Sequence, residues 1–336
     1  MSWAAIIGQP LAVRLFQKAV ATDSLSHAYL LVGPDGVGKR TVAMELARVL
    51  ACARPTPDGA CGACSGCAKL AASPPTHPDL ILIQPDGRMI KTDQMRALQT
   101  EMYVRPGEAR FRVAIIDGAD KLNAEAGNRV LKLLEEPPDY AIFLLLAENL
   151  ASVLPTILSR CQVVHFPPLS PEDVAAAVQR QLGLDAQQAR LFAALSGGSI
   201  GRAVAMAQNP EVAARREATY SLIDKIDAID DFSLLGYSET LEKEKETIDP
   251  WLEMLLLWLR DGFVLAQAGV ERLIVNGDRL PAVRSLANRY GAEGLAAMID
   301  VVSDTRGRLQ RNANFRLALD LMLIRLGEIA RHAGRL

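Results

Sequence analysis

Between an apolar run, Ala28 to Val32, and a helical pattern, Thr41 to Leu50, the chain reads Gly33-Pro34-Asp35-Gly36-Val37-Gly38-Lys39-Arg40. A glycine-rich turn that leaves a buried strand and opens a helix commits the chain to an α/β arrangement, because glycines let successive backbone N–H groups converge where the helix N-terminus favours an anion. This is the P-loop pattern. Its lysine meets the outer phosphates of a nucleotide, and the next residue, Ser or Thr, offers a hydroxyl to Mg²⁺. Arg40 stands in that hydroxyl position. Thr41 comes one residue later, about 100° further round a helix, so its hydroxyl is expected to face away from a metal.

A second part of a nucleotide site is also incomplete. The apolar strand Val113 to Ile116 delivers Asp117 to the place where Mg²⁺ would sit, but the neighbouring position that should polarise the attacking water holds Gly118. Glycine can neither orient nor deprotonate water. Asp120 is expected to cap the helix Leu122 to Leu134 instead of acting as a substitute base. Gly33, Gly36, Gly38, Lys39, Thr41 and Asp117 therefore outline a degenerate site for ATP or ADP, and hydrolysis by the chain alone is not expected.

Four of the five cysteines, Cys52, Cys61, Cys64 and Cys67, are separated by eight, two and two residues, with Gly59, Gly62 and Gly66 among them. Closely spaced thiols with turn-forming glycines can converge on one tetrahedral Zn²⁺, whereas four cysteines without a thioredoxin-like neighbourhood argue against a redox pair. An all-thiolate set leaves no open position for substrate, so the metal is expected to be structural. It would tie down a polar, proline-rich insertion, 51–75, that cannot hold itself together.

At 336 residues the chain exceeds a usual single domain. A net charge of −2 advertises no nucleic-acid surface, so DNA contact would have to come from a local patch. No basic leader precedes an apolar stretch near Met1, and the longest apolar runs, Ala141 to Ala147 and Leu255 to Leu259, are too short to cross a bilayer. A cytoplasmic location follows as the expectation.

Strands are expected at Ala28 to Val32, Asp79 to Ile83, Val113 to Asp117, Ala141 to Leu146 and Gln162 to Phe166, alternating with helices, which implies a buried parallel sheet. After Pro167-Pro168 the pattern turns helical, with Ser170-Pro171-Glu172 as a helix start and Gly197-Gly198-Ser199 as a turn. The expected division is 1–167 for the sheet domain, 168–209 for a small helical unit and 210–336 for a second helical domain. The mixed charge run Glu239 to Glu246 reads as a solvated helix face, and Leu319, Leu323, Leu326 and Ala330 as the packed stripe of a helix.

Taken together, several segments resemble the clamp-loader branch of the AAA+ ATPases over most of the chain. They are Ile7-Gly8-Gln9, His27-Ala28-Tyr29, the four cysteines, and Asn123 with Asn128-Arg129-Val130-Leu131-Lys132-Leu133-Leu134-Glu135-Glu136-Pro137-Pro138. The resemblance implies an AAA+ sheet domain with a zinc-binding insertion, a helical lid and an all-α collar. Pro155-Thr156-Ile157-Leu158-Ser159-Arg160-Cys161 looks like that family's Ser-Arg-Cys motif, whose arginine projects into the ATP site of an adjoining subunit. A guanidinium supplied in trans stabilises charge on the transferred phosphate, so a subunit with a dead site can complete a live one. The plainer role for Arg160 is to bond the last carbonyls of its own helix. Cys161 is then a buried motif residue.

Two departures point away from a motor subunit. Gly201 stands where motors of the family carry a nucleotide-sensing arginine, with Arg202 one position late, and Ala147-Glu148-Asn149 stands at the first sensor, which stays unassigned. Trp258-Leu259-Arg260-Asp261, Val275-Asn276-Gly277-Asp278 and Arg311-Asn312-Ala313-Asn314-Phe315-Arg316-Leu317 resemble the collar. Arg306, Arg308, Arg311 and Arg316 are expected at interfaces or in solvent, not in a DNA patch. The implied partners are gamma or tau and delta subunits, with a sliding clamp and primed DNA reached through the assembly, as part of a DNA-directed DNA polymerase holoenzyme. The rival readings are an ATP-hydrolysing gamma or tau motor of the same assembly, and a P-loop phosphotransferase for a small molecule.

Overall fold

The computed structural model describes residues 2–87, 89–243, 248–311 and 313–333. Residues 244–246 of the charge run and Asn312 of the last collar-like segment lie outside them. The chain divides into two compact units, Met1–Ala177 with Gly198–Arg202, and Val178–Gly197 with Ala203–Leu336.

In the first unit, α1 (Pro10–Ala21) precedes β1 (Ala28–Val32), the loop and α2 (Lys39–Leu50). Then follow α3 (Ser65–Ala71), β2 (Leu80–Ile83), α4 (Thr92–Met102), β3 (Arg112–Asp117), α5 (Ala124–Glu135), β4 (Ala141–Ala147), α6 (Pro155–Leu158) and β5 (Gln162–His165). The five strands form one parallel sheet in the order β2-β3-β4-β1-β5, with Leu30 opposite Leu145 and Asp117 opposite Leu146. All five expected strands are present, each within a residue of its expected ends.

Alternation explains why the strands read as unbroken apolar runs. Leu30, Ala114, Ile116, Phe143 and Leu145 face a core closed by Met95 and Leu98 of α4 and by Val130 and Leu133 of α5. Tyr29, Leu31, Ile115, Leu144 and Leu146 face the opposite core, closed by Phe16 of α1 and by Val42 and Leu46 of α2. A strand covered on both faces has no polar position to spare. The carboxyl ends of β1, β3 and β4 therefore meet at one crest, the place where open parallel sheets hold ligands.

The remaining helices are α7 (Pro171–Leu182), α8 (Ala186–Leu195), α9 (Ile200–Gln208), α10 (Pro210–Lys225), α11 (Asp231–Lys243), α12 (Ile248–Ala268), α13 (Leu280–Gln310) and α14 (Phe315–Ala333). The core of the second unit is built on Trp251, Leu255, Trp258 and Leu259 of α12 against Leu286 and Leu295 of α13 and the fully packed stripe Leu319, Leu323, Leu326 and Ala330 of α14. Two collar-like segments prove to be one structure. The Asp261 carboxylate, fully buried, accepts from the backbone N–H groups of Val275 and Asn276 and from Asn276 Nδ2 at 2.9 Å. Arg216 donates to Asn276 Oδ1 and to both oxygens of Asp278. Arg306, Arg308 and Arg316 are engaged within their own unit by Asp249 and Glu253, by Asp304, and by Glu242 and Asp320. Among the described residues no helix is long and apolar enough to cross a membrane.

Candidate functional site: a closed nucleotide crest and an exposed arginine

Gly36 (φ +71°) and Gly38 (φ +104°) turn the loop after β1 through backbone conformations that L side chains resist, and α2 begins at Lys39. Lys39 is 7% exposed, and its ammonium donates to the carbonyls of Gly33 and Pro34, the latter at 2.7 Å. Burial pulls its pKa below the ordinary lysine value, against the opposing pull of Asp35, Glu148, Asp117 and Asp120. Two of three ammonium donors thus close the loop on itself, leaving one for an anion.

Asp117 has its counter-charge from within the chain. Arg40 Nη1 lies 3.3 Å from Asp117 Oδ2, so a guanidinium pairs with the carboxylate that ends β3. Thr41 is exposed on α2. Gly118 adopts φ +107°, and a Cβ there would approach Pro85 Cγ to 3.1 Å, so the base position is held in a left-handed conformation that disfavours glutamate. Asp120 does not cap the following helix. It sits in a short 3-10 turn, Ala119–Lys121, and Asn123 is the cap, its Oδ1 accepting from the Ala126 N–H at 2.7 Å. The turn uses up the residues that the sequence reading gave to the helix start. Asp35, Lys39, Asp117, Asp120, Lys121 and Glu148 line a cavity of about 200 Å³ at this crest, with Lys121 and Glu148 paired at 3.0 Å. Asn149 Oδ1 caps its own turn by accepting from the Ala151 N–H at 2.9 Å.

The segment carrying the absent sensor packs on the loop itself. Gly201 N–H donates to the Gly36 carbonyl at 3.1 Å. A Cβ on Gly201 would stand 3.0 Å from Gly36 Cα, and one on Gly36 would meet the buried Ser199 hydroxyl at 2.3 Å. The Ser199 hydroxyl accepts from the Arg202 N–H at 3.1 Å, fixing Arg202 in the first turn of its helix.

Arg160 follows α6. Its Nη1 donates to the Thr156 carbonyl at 3.0 Å and to Ser159 Oγ at 3.1 Å, and its Nη2 meets Glu135 Oε1 at 2.6 Å. The plainer role, bonding a carbonyl of its own helix, is therefore present, but one-third of the side chain remains exposed. Burial pushes the Cys161 thiol up to about 12, which leaves no nucleophile there.

The four clustered cysteines converge. Their sulfurs all lie within 4.8 Å of one another, with Cys61 and Cys67 at 3.9 Å and Cys52 and Cys64 at 4.0 Å. Sulfurs about 2.3 Å from one tetrahedral ion stand about 3.8 Å apart, so the donor set fits a metal of that size. Ties beyond the cysteines hold the insertion to the sheet domain, among them Gln17 Nε2 donating to the Pro57 carbonyl at 3.1 Å. Trp3 N–H donates to the Asp58 carbonyl at 3.1 Å, and Lys69 pairs with Glu108 of the loop before β3. That loop hangs on Asp79, 2% exposed, whose carboxylate accepts from the N–H groups of Gly107, Glu108 and Ala109, each at 2.8 Å. Burial pushes the Asp79 carboxyl upward, but these N–H groups outweigh it and hold the pKa below the ordinary value. Nothing in the local sequence marks Asp79, because its partners lie about thirty residues ahead.

Residues 8–170 match the family model described as DNA polymerase III, delta subunit, and residues 210–328 match its C-terminal counterpart. The chain is 31% identical to DNA polymerase III subunit delta' of Bacillus subtilis over 95% of this chain and 96% of that one. It is 38% identical to the delta' subunit of Pseudomonas aeruginosa over 52% of this chain and 53% of that one. Against subunit gamma/tau of Mycobacterium bovis it is 28% identical over 97% of this chain but 61% of that protein. Among solved structures, a DNA polymerase III gamma subunit-related protein of Thermotoga maritima matches at 19% identity and a TM-score of 0.38, over 94% of this chain and 99% of that one. The delta' relative of Bacillus subtilis spans both units, and the chain belongs to the delta' family of DNA polymerase III subunits.

Proposed function

We propose that the chain works in a clamp loader as a module that does not hydrolyse ATP but presents Arg160 to the ATP of an adjacent gamma or tau subunit, helping to load a sliding clamp on primed DNA. The Arg40–Asp117 ion pair at 3.3 Å carries the first half of this reading. A cation built into the chain occupies the metal's electrostatic role, and Gly118 supplies no base, so neither requirement of phosphoryl transfer is met at the crest. The exposed guanidinium of Arg160 supports the second half, since a finger must reach beyond its own subunit. A motor reading demands hydrolysis by the isolated chain, and a small-molecule phosphotransferase demands turnover without partners.

The test is the ATPase rate of a reconstituted clamp loader on primed DNA, with the chain, with Arg160→Ala, and for the chain alone. A silent isolated chain and a loss of roughly a hundredfold or more in the Arg160→Ala assembly are expected, since an arginine finger contributes on the order of 10³ or more to turnover. Turnover by the isolated chain, or an undisturbed Arg160→Ala assembly, contradicts the reading.

At the cysteine cluster we assign Cys52, Cys61, Cys64 and Cys67 to one structural Zn²⁺, which when bound cross-links the insertion through four thiolates. Metal content of the purified chain by elemental analysis tests it, with one zinc per chain expected and none in a variant lacking two of the cysteines.

A further inference from the structure

Glu135 is the last residue of α5, and Glu136 follows as its C-cap before Pro137 and Pro138 stop the helix. Two carboxylates at the negative end of a helix dipole are electrostatically misplaced, so helix stability does not account for them. Arg160 answers one of them at 2.6 Å. Arg160 is one-third exposed and Glu135 about half, 34% and 48%, and an ion pair so open to water adds little to stability. What it does add is geometry. The guanidinium is gripped on one side by the Thr156 carbonyl and by Ser159 Oγ, itself steadied by donating to the same carbonyl at 3.0 Å, and on the other by Glu135. The two hydrogen bonds use two of its five N–H groups, and Glu135 adds an ion pair at Nη2.

We infer that Glu135 is a positioning residue for Arg160, holding the guanidinium extended from the C-terminal ends of α5 and α6 so that its remaining N–H groups face an incoming phosphate of the neighbouring subunit. This rests on the trans-arginine reading above. An unrestrained arginine must surrender its rotamer freedom when it meets the phosphate, whereas one already gripped has surrendered most of it beforehand. Glu135 touches no substrate, so its effect runs entirely through Arg160. The Leu-Glu-Glu-Pro-Pro ending and the Ser-Arg-Cys segment are thereby parts of one device, although Glu135 and Arg160 stand 25 positions apart.

The experiment is steady-state ATP hydrolysis by the reconstituted assembly on primed DNA, comparing Glu135→Gln, Arg160→Ala and the double variant, with thermal unfolding of each isolated chain as a folding control. Glu135→Gln is expected to lower kcat roughly tenfold, in keeping with the cost of slight misplacement of a reacting group, while KM for ATP changes less than about twofold and unfolding stays put. The double variant should match Arg160→Ala alone. If Glu135→Gln leaves kcat unchanged or raises it while Arg160→Ala is defective, or if the two losses multiply in the double variant, Glu135 does not act through Arg160. An Arg160→Ala assembly with undiminished turnover overturns the trans-arginine reading and this inference with it.

Discussion

Arg40 and Asp117, 77 positions apart in the chain, face one another at 3.3 Å across the crest of the sheet, the arginine from the first turn of α2 and the aspartate from the end of β3. The pairing gives the carboxylate a permanent counter-charge. Arg40→Thr restores a metal-binding hydroxyl and frees Asp117, so binding of a fluorescent ADP analogue is expected to become stronger with Mg²⁺ than with EDTA. ATP hydrolysis should stay at background, because Gly118 still offers no base. Because the pair is partly exposed, folding stability should shift by no more than about 1 kcal/mol.

Asp79 is the most heavily used carboxylate of the first unit, and its replacement separates charge from shape. Asp79→Asn keeps the size but weakens three N–H contacts, and a loss of about 2–4 kcal/mol is expected in urea unfolding. The folded pKa lies below the unfolded value of about 3.9. Its stabilisation is therefore present above the unfolded pKa and lost as pH falls through the folded one. Wild type should lose stability in that acid window, and the Asp79→Asn variant should show a flatter acid limb.

Removal of metal from the cysteine cluster should be felt locally. Treatment with a strong chelator is expected to raise hydrogen exchange across 51–75, where turns, bends, a bridge between Thr56 and Gly59 and one short helix are what remains without the cross-link. The amides of β1 and β4, interior strands buried along their whole length, should keep their protection. Exchange that rises equally in the sheet would show the ion to be essential to the whole unit.

Asp261 serves the second unit as Asp79 serves the first. Asp261→Ala leaves the N–H groups of Val275 and Asn276 without their acceptor in a buried setting, and about 3–5 kcal/mol of stability should go with it. Limited proteolysis is expected to find 270–280 first. A variant as resistant as wild type would show that the loop is held by other means, such as Arg216 on Asn276 and Asp278.

The sheet was legible in the sequence because its strands are covered on both faces, so residues such as Leu30 and Leu31 could both be apolar while pointing opposite ways. The loop was legible because its glycines sit at fixed offsets from a lysine. Pairings across the fold were not. Whether Arg40 meets Asp117 depends on which strands flank β1, and no local pattern encodes strand order. The cap is ambiguous in the sequence for a different reason: Asp120 and Asn123 both suit an N-cap, and only the 3-10 turn between them decides. Asp261 and Asn276 each lie in a family-like segment, yet their mutual bond at 2.7 Å arises only where packing brings the two segments together.

The contact between Gly201 and Gly36 has no side chain in it. Two main chains meet there like machined faces, with nothing compressible between them and nothing to swivel. A single methyl group at either position would act as a shim, prising the Ser199 segment off the loop. Positions with so little chemistry to offer thus leave little room for change, and the spacing they keep is indifferent to whether a nucleotide has ever been present.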